Sequence, residues 1–427
     1  MARPPKQRRA LSTVRSDAPI ATEGEPAVAA ALAAALRIGP REDAVAGEYT
    51  HGFHAYPARM HPATARRLVA LARELAPSPG PARVLDPFCG SGTVLVEARA
   101  AGASARGVDA NPLAVLIARA KTSVGRPEFR RAVRDRADVI AAAVIEAGRR
   151  ARRSGEVPAA RRTPRGADPA QRQRQLARWF APHVRRELEA LAAAVDAEPA
   201  NLRVPLAAAL SAILYKASRR ESDTVPAEVE RLIARGAPSR WFRDRAHVLA
   251  DGLDALAVAS APRVAVARGD ARALARAAVA ADSIDAIVTS PPYPGVYDYL
   301  AHQELRYAFL GLGSGQFARV ELGSRRSFRG DAAARRRALA AWRKGYAAAL
   351  AQMARALRPG GIAALVVGDS VAGGEALFAD RELAVAAPAD LAFVASASQQ
   401  RPALSAAERR AFGDRPKCEY ILLYRKL

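Results

Sequence analysis

Apolar and polar positions follow two different rhythms along this chain. From residue 83 short apolar runs alternate with helix-spaced stretches: RVLD leads through a glycine-rich turn into VLVEARAAG, and ARGVD leads into ANPLAVLIARAKT. The same alternation returns at RVAVARGD, at SIDAIVTS, at the helix AAWRKGYAAALAQMARAL and at GGIAALVVGDS, and CEYILLYRKL reads as a closing strand. Strand-then-helix repetition predicts an α/β fold, a parallel sheet with helices on both faces. Between the two halves, residues 126–260 carry Arg, Ala and Leu at helical spacing, clearest in WFAPHVRRELEALAAAV and PLAAALSAILYKASRR. This stretch reads as a helical insertion, either packing against the sheet or contributing to target recognition.

The remaining segments follow from the same pattern. Residues 1–25 show no periodicity and read as a flexible basic arm, and PAVAAALAAALR after it reads as a short helix. The expected division is an arm at 1–25, the first part of an α/β domain at 26–125, the insertion at 126–260 and the second part of the domain at 261–427.

Composition narrows the function classes. Half of the residues are hydrophobic, yet no apolar run approaches the roughly 20 residues that span a bilayer, so a soluble, cytoplasmic protein without a membrane partner is expected. The opening MARPPKQRRALSTVR is basic but lacks the apolar core of a secretory signal. Two cysteines, Cys89 and Cys418, build neither a disulfide framework nor a zinc-ligand pair and read as reduced thiols. His51, His54 and His61 lack cysteine or carboxylate partners at ligand spacing, so no metal is expected. A formal net charge of +24 implies an anionic partner, with nucleic acid foremost. Because the excess is mostly arginine and accompanies heavy alanine use, the charge supports that partner without establishing it.

The chemistry lies at the strand ends. A strand ending in Asp86, then Gly90-Ser91-Gly92 and a helix starting near Thr93, places backbone N–H groups and a helix N-terminus beside a ligand. The second strand ends at Asp109, where a carboxylate can accept both hydroxyls of a ribose. The turn lacks the G-x-G-x-x-G spacing of a dinucleotide site, and a carboxylate at Asp86 suits the cationic amine of a methionine moiety better than a pyrophosphate. Asp270, placed at another strand end, can accept the amine of an adenine or merely cap the strand. Phe88, Gly90, Gly92 and Thr93 of the first turn, with Ala110 and Asn111 after the second strand, complete this candidate cofactor set.

Thr289-Ser290-Pro291-Pro292-Tyr293 follows the apolar strand IDAIV, at the end of the sheet where open α/β proteins bind ligands. Two prolines stiffen the backbone and withhold donors, leaving carbonyls free to accept. The exocyclic amine of a base is a poor nucleophile because its lone pair is delocalised into the ring. Acceptors aimed at its protons favour a pyramidal nitrogen poised for in-line attack on a sulfonium methyl. The Ser290 hydroxyl and the Pro291 carbonyl are assigned that role, with Tyr293 as a face for an extruded base. Tyr297, Tyr299 and His302 either frame that base or belong to the core, and Arg325, Arg326 and Arg329 either clamp phosphates or lie in a solvated loop.

DPFCGSGT resembles motif I of the DNA amino-methyltransferases, GVDANPLAVLIARAKT is similar to the segment after it, and TSPPY resembles their catalytic motif IV. HAYPARMHP resembles their motif X, which makes Tyr56 and Pro57 cofactor neighbours. The resemblance implies a Rossmann-like class I fold, S-adenosylmethionine as methyl donor, DNA as substrate and a restriction or defence system as the setting. Serine at the head of motif IV points to N4 of cytosine, with N6 of adenine as the alternative. An RNA base methyltransferase, a non-catalytic basic DNA-binding protein and a nicotinamide oxidoreductase are the other classes the residues admit. The insertion falls before GDAR rather than immediately before TSPPY, which fits none of the family's standard motif orders.

Overall fold

The computed structural model describes residues 17–154, 169–223, 225, 227–257 and 263–427. Its strands are, in chain order, β1 (Ile20–Gly24), β2 (Arg83–Asp86), β3 (Ser104–Asp109), β4 (Val264–Arg268), β5 (Ile284–Thr289), β6 (Leu357–Gly368), β7 (Ser370–Ala372), β8 (Glu375–Leu377), β9 (Leu391–Gln400) and β10 (Cys418–Lys426). Eight of them form one sheet in the order β1-β9-β10-β6-β5-β2-β3-β4, while β7 and β8 pair as a separate hairpin. β4, β3, β2, β5 and β6 run parallel, and β10 enters antiparallel beside β6. This is the Rossmann-like sheet expected of a class I methyltransferase, and the order reverses between β2 and β5.

Residues 20–24 correct the reading of 1–25 as a flexible arm. Ile20–Gly24 is an edge strand registered against Ala395–Gln399. Polar IATEG lacked the alternation that marks a half-buried strand; backbone pairing holds it, with Ile20 packed against the core. Residues 1–16 of the arm lie outside the described residues.

On one face of the sheet lie α1 (Pro26–Leu36), α3 (Pro62–Glu74), α4 (Thr93–Ala100) and α5 (Pro112–Thr122), with the short α2 (Pro40–Ala44) linking the first two. Leu32, Leu68, Val94 and Ala118 from these helices share a core with Val84, Val288 and Ile421. Proline opens both α3 and α5, where its missing N–H costs nothing, and the preceding residue caps each helix. His61 accepts from the Ala63 N–H, and Asn111 accepts from those of Leu113 and Ala114.

The insertion consists of α6 (Pro127–Ser154), α7 (Pro169–Trp179), α8 (Pro182–Asp196), α9 (Ala200–Ala217) and α10 (Ala237–Ala255). It does not stand apart from the sheet domain. Leu206, Leu210, Leu249 and Leu253 of the insertion share one apolar cluster with Phe53, Val96 and Ala120 of the first half and with Leu305 and Phe309 of the second. Removing it would expose that core, so the helices are structural members of the domain whatever else they do.

The second half supplies α11 (Tyr299–Leu310), α12 (Gly315–Val320), α13 (Ala332–Ala356), α14 (Ala379–Ala386) and α15 (Ala406–Ala411). Leu350 and Met353 of α13 and Leu383 of α14 cover the opposite face of the sheet over Leu85, Ile287 and Leu365. Among the described residues no helix is long and apolar enough to cross a membrane.

One glycine marks how closely α4 lies on β3. A Cβ at Gly107 would fall 2.5 Å from Leu95 Cδ1 and 2.9 Å from Cys89 Sγ. Gly107→Ala is therefore expected to destabilise the fold by about 1–3 kcal/mol, the usual cost of overpacking a core. Denaturant unfolding checks this, and an unchanged midpoint would mean the helix yields freely.

Candidate active site

The C-terminal ends of β2, β3 and β5 meet at the point where the strand order reverses, and the acidic and hydroxyl residues of the motifs are concentrated there. Thr289, the last residue of β5, donates its hydroxyl to Asp86 Oδ1 at 2.6 Å, which ties the Ser290–Tyr293 loop to the glycine-rich turn. Two clefts open on this edge. One, of about 740 Å³, is walled by Tyr56, Phe88, Gly90, Asp109, Asp270 and Phe317. The other, of about 620 Å³, is walled by Pro291, Tyr293, Tyr297, Val366, Arg401 and Glu419. Ala58, Ser290, Pro292 and Tyr299 line both, so these four residues mark where the clefts touch.

Asp109 holds the first cleft in shape. Its two carboxylate oxygens each accept one backbone N–H, from Gly90 and from Asn111, both at 2.8 Å. A carboxylate oxygen has a second lone pair, so both remain able to accept from a vicinal diol. Burial raises its pKa from the ordinary 3.8 to about 6, against the pull of the two N–H donors. Gly90 and Gly92 both have positive φ, 48° and 81°, a conformation that favours glycine.

Several candidates already have partners within the protein. Asp86 does not line either cleft. It is buried, and Oδ1 takes both the Thr289 hydroxyl and the Phe88 N–H. Burial raises its pKa to about 7, and its bond to Thr289 links β2 to β5. Gly92 and Thr93 also lie off the cleft walls; a Cβ on Gly92 would stand 3.1 Å from Ala118, so this glycine serves the approach of α5. The Asn111 amide is consumed internally, donating to the Tyr56 hydroxyl at 3.1 Å and accepting from the Tyr307 hydroxyl at 2.9 Å besides capping α5. It shapes the wall through its position. Pro57 faces a different groove, between residues 51–59 and the insertion.

Asp270 lies two residues beyond the end of β4, where it caps a 3-10 turn and forms an ion pair with Arg272 at 2.7 Å. Burial would raise its carboxyl, but the Arg272 guanidinium and backbone N–H hold it below the ordinary value. Its side chain reaches the cleft wall already committed, and Phe317, with a flat ring on the same wall, was not singled out from the sequence.

In the second cleft the Ser290 hydroxyl lies 3.4 Å from the Tyr293 hydroxyl, which itself donates to the Val366 carbonyl at 3.4 Å. The Pro291 carbonyl accepts no hydrogen bond from the described residues. Tyr56, Tyr299 and Tyr297 form a stacked row, with centroids 6.2 Å and 5.5 Å apart, across the boundary between the clefts. His302 meets Tyr297 edge-on. Ala58, in the same boundary, has φ of 54°, which costs an L-residue about 1–2 kcal/mol. Such strain persists only where the surroundings fix it.

His51, His54, His61, Arg325 and Arg326 have internal partners. His51 lies 2.8 Å from Glu97, His54 is hydrogen-bonded to Ser211, and His61 lies 3.3 Å from Asp43. Arg326 pairs with Asp298 at 2.8 Å and Glu321 at 2.7 Å, and Arg325 donates to the Val296 carbonyl. Arg326 thereby braces the loop after Tyr293, and Arg325 is exposed with one side-chain bond to that loop. Cys89 and Cys418 are free thiols.

The raised carboxyls carry a pH consequence. Asp86 and Asp109 bind protons more tightly when folded than when unfolded, so the native state holds more protons between about pH 4 and 7. Their contribution to stability is therefore full below pH 4 and falls as the pH rises through that window. Asp109→Asn is expected to flatten the part of this fall between about pH 4 and 6. Denaturant midpoints from pH 4.5 to 7.5 check it, and parallel curves for the two proteins would contradict it.

Residues 51–154 match the family model described as UPF0020, the RMKL-like methyltransferase domain. The chain is 40% identical over 89 residues to the type II methyltransferase M.MvaI of Kocuria varians, a stretch that covers 21% of this chain and 19% of that protein. The aligned stretch thus spans about a fifth of the curated relative's length. Among solved structures, the rRNA methyltransferase aviRa of Streptomyces viridochromogenes is matched at 12% identity and a TM-score of 0.34, over 92% of this chain and 94% of that one. The likeness to DNA methyltransferases that the motifs carry thus has support from a methyltransferase family model and from a curated relative. Methyltransferases of this kind take S-adenosylmethionine as methyl donor.

Proposed function

We propose that the protein transfers a methyl group from S-adenosylmethionine to the exocyclic N4 amine of a cytosine swung out of DNA. The observation that carries this reading is the meeting of the two clefts at Ser290 and Pro292, one holding a diol acceptor and the other an aromatic pocket for a base. Bound S-adenosylmethionine would supply an electrophilic methyl on a sulfonium.

The chain's own residues do the rest. Asp109 accepts from a ribose, the stacked tyrosines close the boundary, and Tyr293 offers its ring to the base. The Ser290 hydroxyl and the Pro291 carbonyl accept from the two amine protons and turn the nitrogen lone pair toward the first cleft. A serine in place of a carboxylate suits cytosine, and neither cysteine stands where attack on ring carbon would need a thiolate. The type II name of the M.MvaI relative extends the reading to a restriction setting with a cognate nuclease.

Incubation with tritiated S-adenosylmethionine and either unmethylated genomic DNA or total RNA tests the substrate class. Label is expected in DNA. Label confined to RNA would overturn the reading.

A further inference from the structure

Beside the segment that follows Tyr293, the fold gathers arginines that no carboxylate answers. Gly295 donates its N–H to the Gly323 carbonyl at 2.9 Å, and Arg325 donates its own to the Tyr297 carbonyl at 2.9 Å, so residues 323–330 lie along that segment. Phe328, packed in one core with Trp342, holds the loop on α13. α13 connects β5 to β6, which run parallel, so its first turns stand at the strand-end edge that carries Ser290. Arg329, Arg336 and Arg337 are exposed there. Arg335 lies against the β7–β8 hairpin, where a Cβ on Gly373 would fall 3.0 Å from its Cδ.

Among the described residues none of these four guanidinium groups has an ion pair or a hydrogen bond. Other arginines near the site do: Arg272 pairs with Asp270, Arg326 with Asp298 and Glu321, and Arg343 with Glu382. α13 contains no Asp or Glu, and Asp331 before it is engaged as the N-cap, accepting from the Ala334 N–H at 2.7 Å. Glu375, on the hairpin, pairs with none of the four. Neighbouring cations repel one another, and in the first turns of a helix they also oppose its dipole. A polyanion laid across them relieves both, and each phosphate neutralised releases counterions. An extruded base stays joined to its strand, so the phosphates on either side of it pass close to the acceptor cleft.

We infer that Arg329, Arg335, Arg336 and Arg337 form a ridge that grips the phosphodiester backbone of duplex DNA beside the extruded base. This inference rests on the functional reading above and adds to it the surface that holds the duplex during transfer. Phosphate contacts carry no sequence information. The ridge therefore sets affinity and orientation, and leaves the choice of site to other residues.

The test replaces three of these residues together, Arg329→Gln, Arg336→Gln and Arg337→Gln, and titrates binding to duplex DNA against salt. Each lost phosphate contact lowers the slope of log K against log salt by about 0.9. The slope is therefore expected to become shallower by about 2–3, equally for duplexes with and without the target site. Lysine at the same three positions keeps the charges and is expected to keep the native slope. Cofactor affinity and turnover at saturating DNA are expected to stay native in both variants. Arg131, Arg150 and Arg153 of α6 are also exposed, and changing all three to Gln is expected to leave the slope as it is. Circular dichroism identifies any variant that is not folded; if the triple glutamine variant fails, Arg336→Gln with Arg337→Gln decides, with an expected change of about 1–2. An unchanged slope in the ridge variant, or an equal change in the α6 variant, would overturn the inference alone. A loss seen on duplex RNA and not on DNA would give the ridge to RNA and overturn it as well. Absence of any methyl transfer to DNA by the native protein would instead remove the functional reading, and this inference with it.

Discussion

Asp109→Ala is expected to lower affinity for S-adenosylmethionine by about 100-fold or more. Two effects combine. Hydrogen bonds to a charged acceptor contribute roughly 1.5–3 kcal/mol each, and Asp109 can offer one to each ribose hydroxyl. The same carboxylate also anchors the Gly90 and Asn111 backbone N–H groups, so its loss releases the turn that shapes the cleft floor. Titration calorimetry with the cofactor checks this in a variant whose circular dichroism matches the native protein. An affinity within threefold of native would remove Asp109 from the cofactor site. Asp109→Asn separates the two effects, because an amide keeps one acceptor oxygen and loses the charge.

The second large effect concerns the acceptor side. Tyr293→Ala is expected to reduce kcat/KM for nucleic acid by about 10- to 100-fold, since a base stacked on an aromatic ring loses roughly 1–3 kcal/mol when the ring is removed. Cofactor affinity is expected to stay within threefold, because Tyr293 lines the acceptor cleft and not the cofactor cleft. Ser290→Ala is expected to act on kcat, by about 100-fold, as removal of a group that acts chiefly in the transition state does. Steady-state kinetics on DNA, beside calorimetry, separate these outcomes. Equal losses of cofactor affinity and turnover in Tyr293→Ala would contradict the division of the edge into two clefts.

The parts of this arrangement that the sequence made legible are those written in local pattern. β2, β3 and β5 announce themselves as apolar runs that end at Asp86, Asp109 and Thr289, and their parallel pairing follows from the helices between them. The SPPY segment is equally local. Other features depend on distant pairing. β1 is a polar edge strand whose partner, β9, lies some 375 residues further along the chain. Arg401 and Glu419 come together only because β9 and β10 are neighbours in the sheet. Nothing in the residues flanking either one singles it out, although a charged residue beside an apolar strand end is the kind of signal that could have.

The sequence could not show which candidate side chains already have partners inside the fold. Asp86, Asp270 and Asn111 stand at strand or helix ends, where a carboxylate or amide can face a ligand or a neighbouring backbone. Distances show that each already has a protein partner: Thr289 for Asp86, Arg272 for Asp270, and tyrosines 56 and 307 for Asn111. Likewise, helical spacing showed that residues 126–260 are helices, but only the shared cluster around Phe53 and Leu305 shows that they complete the domain core.

Nucleoside mass spectrometry of DNA methylated by the purified protein tests the central claim most directly, because it identifies the atom that receives the methyl group. N4-methylcytosine is the expected product. N6-methyladenine would keep the amine chemistry at Ser290 and Pro291 and move it to the other base. DNA carrying 5-methylcytosine, or no methylated nucleoside at all in the presence of bound cofactor, would contradict methyl transfer to an exocyclic amine at this site.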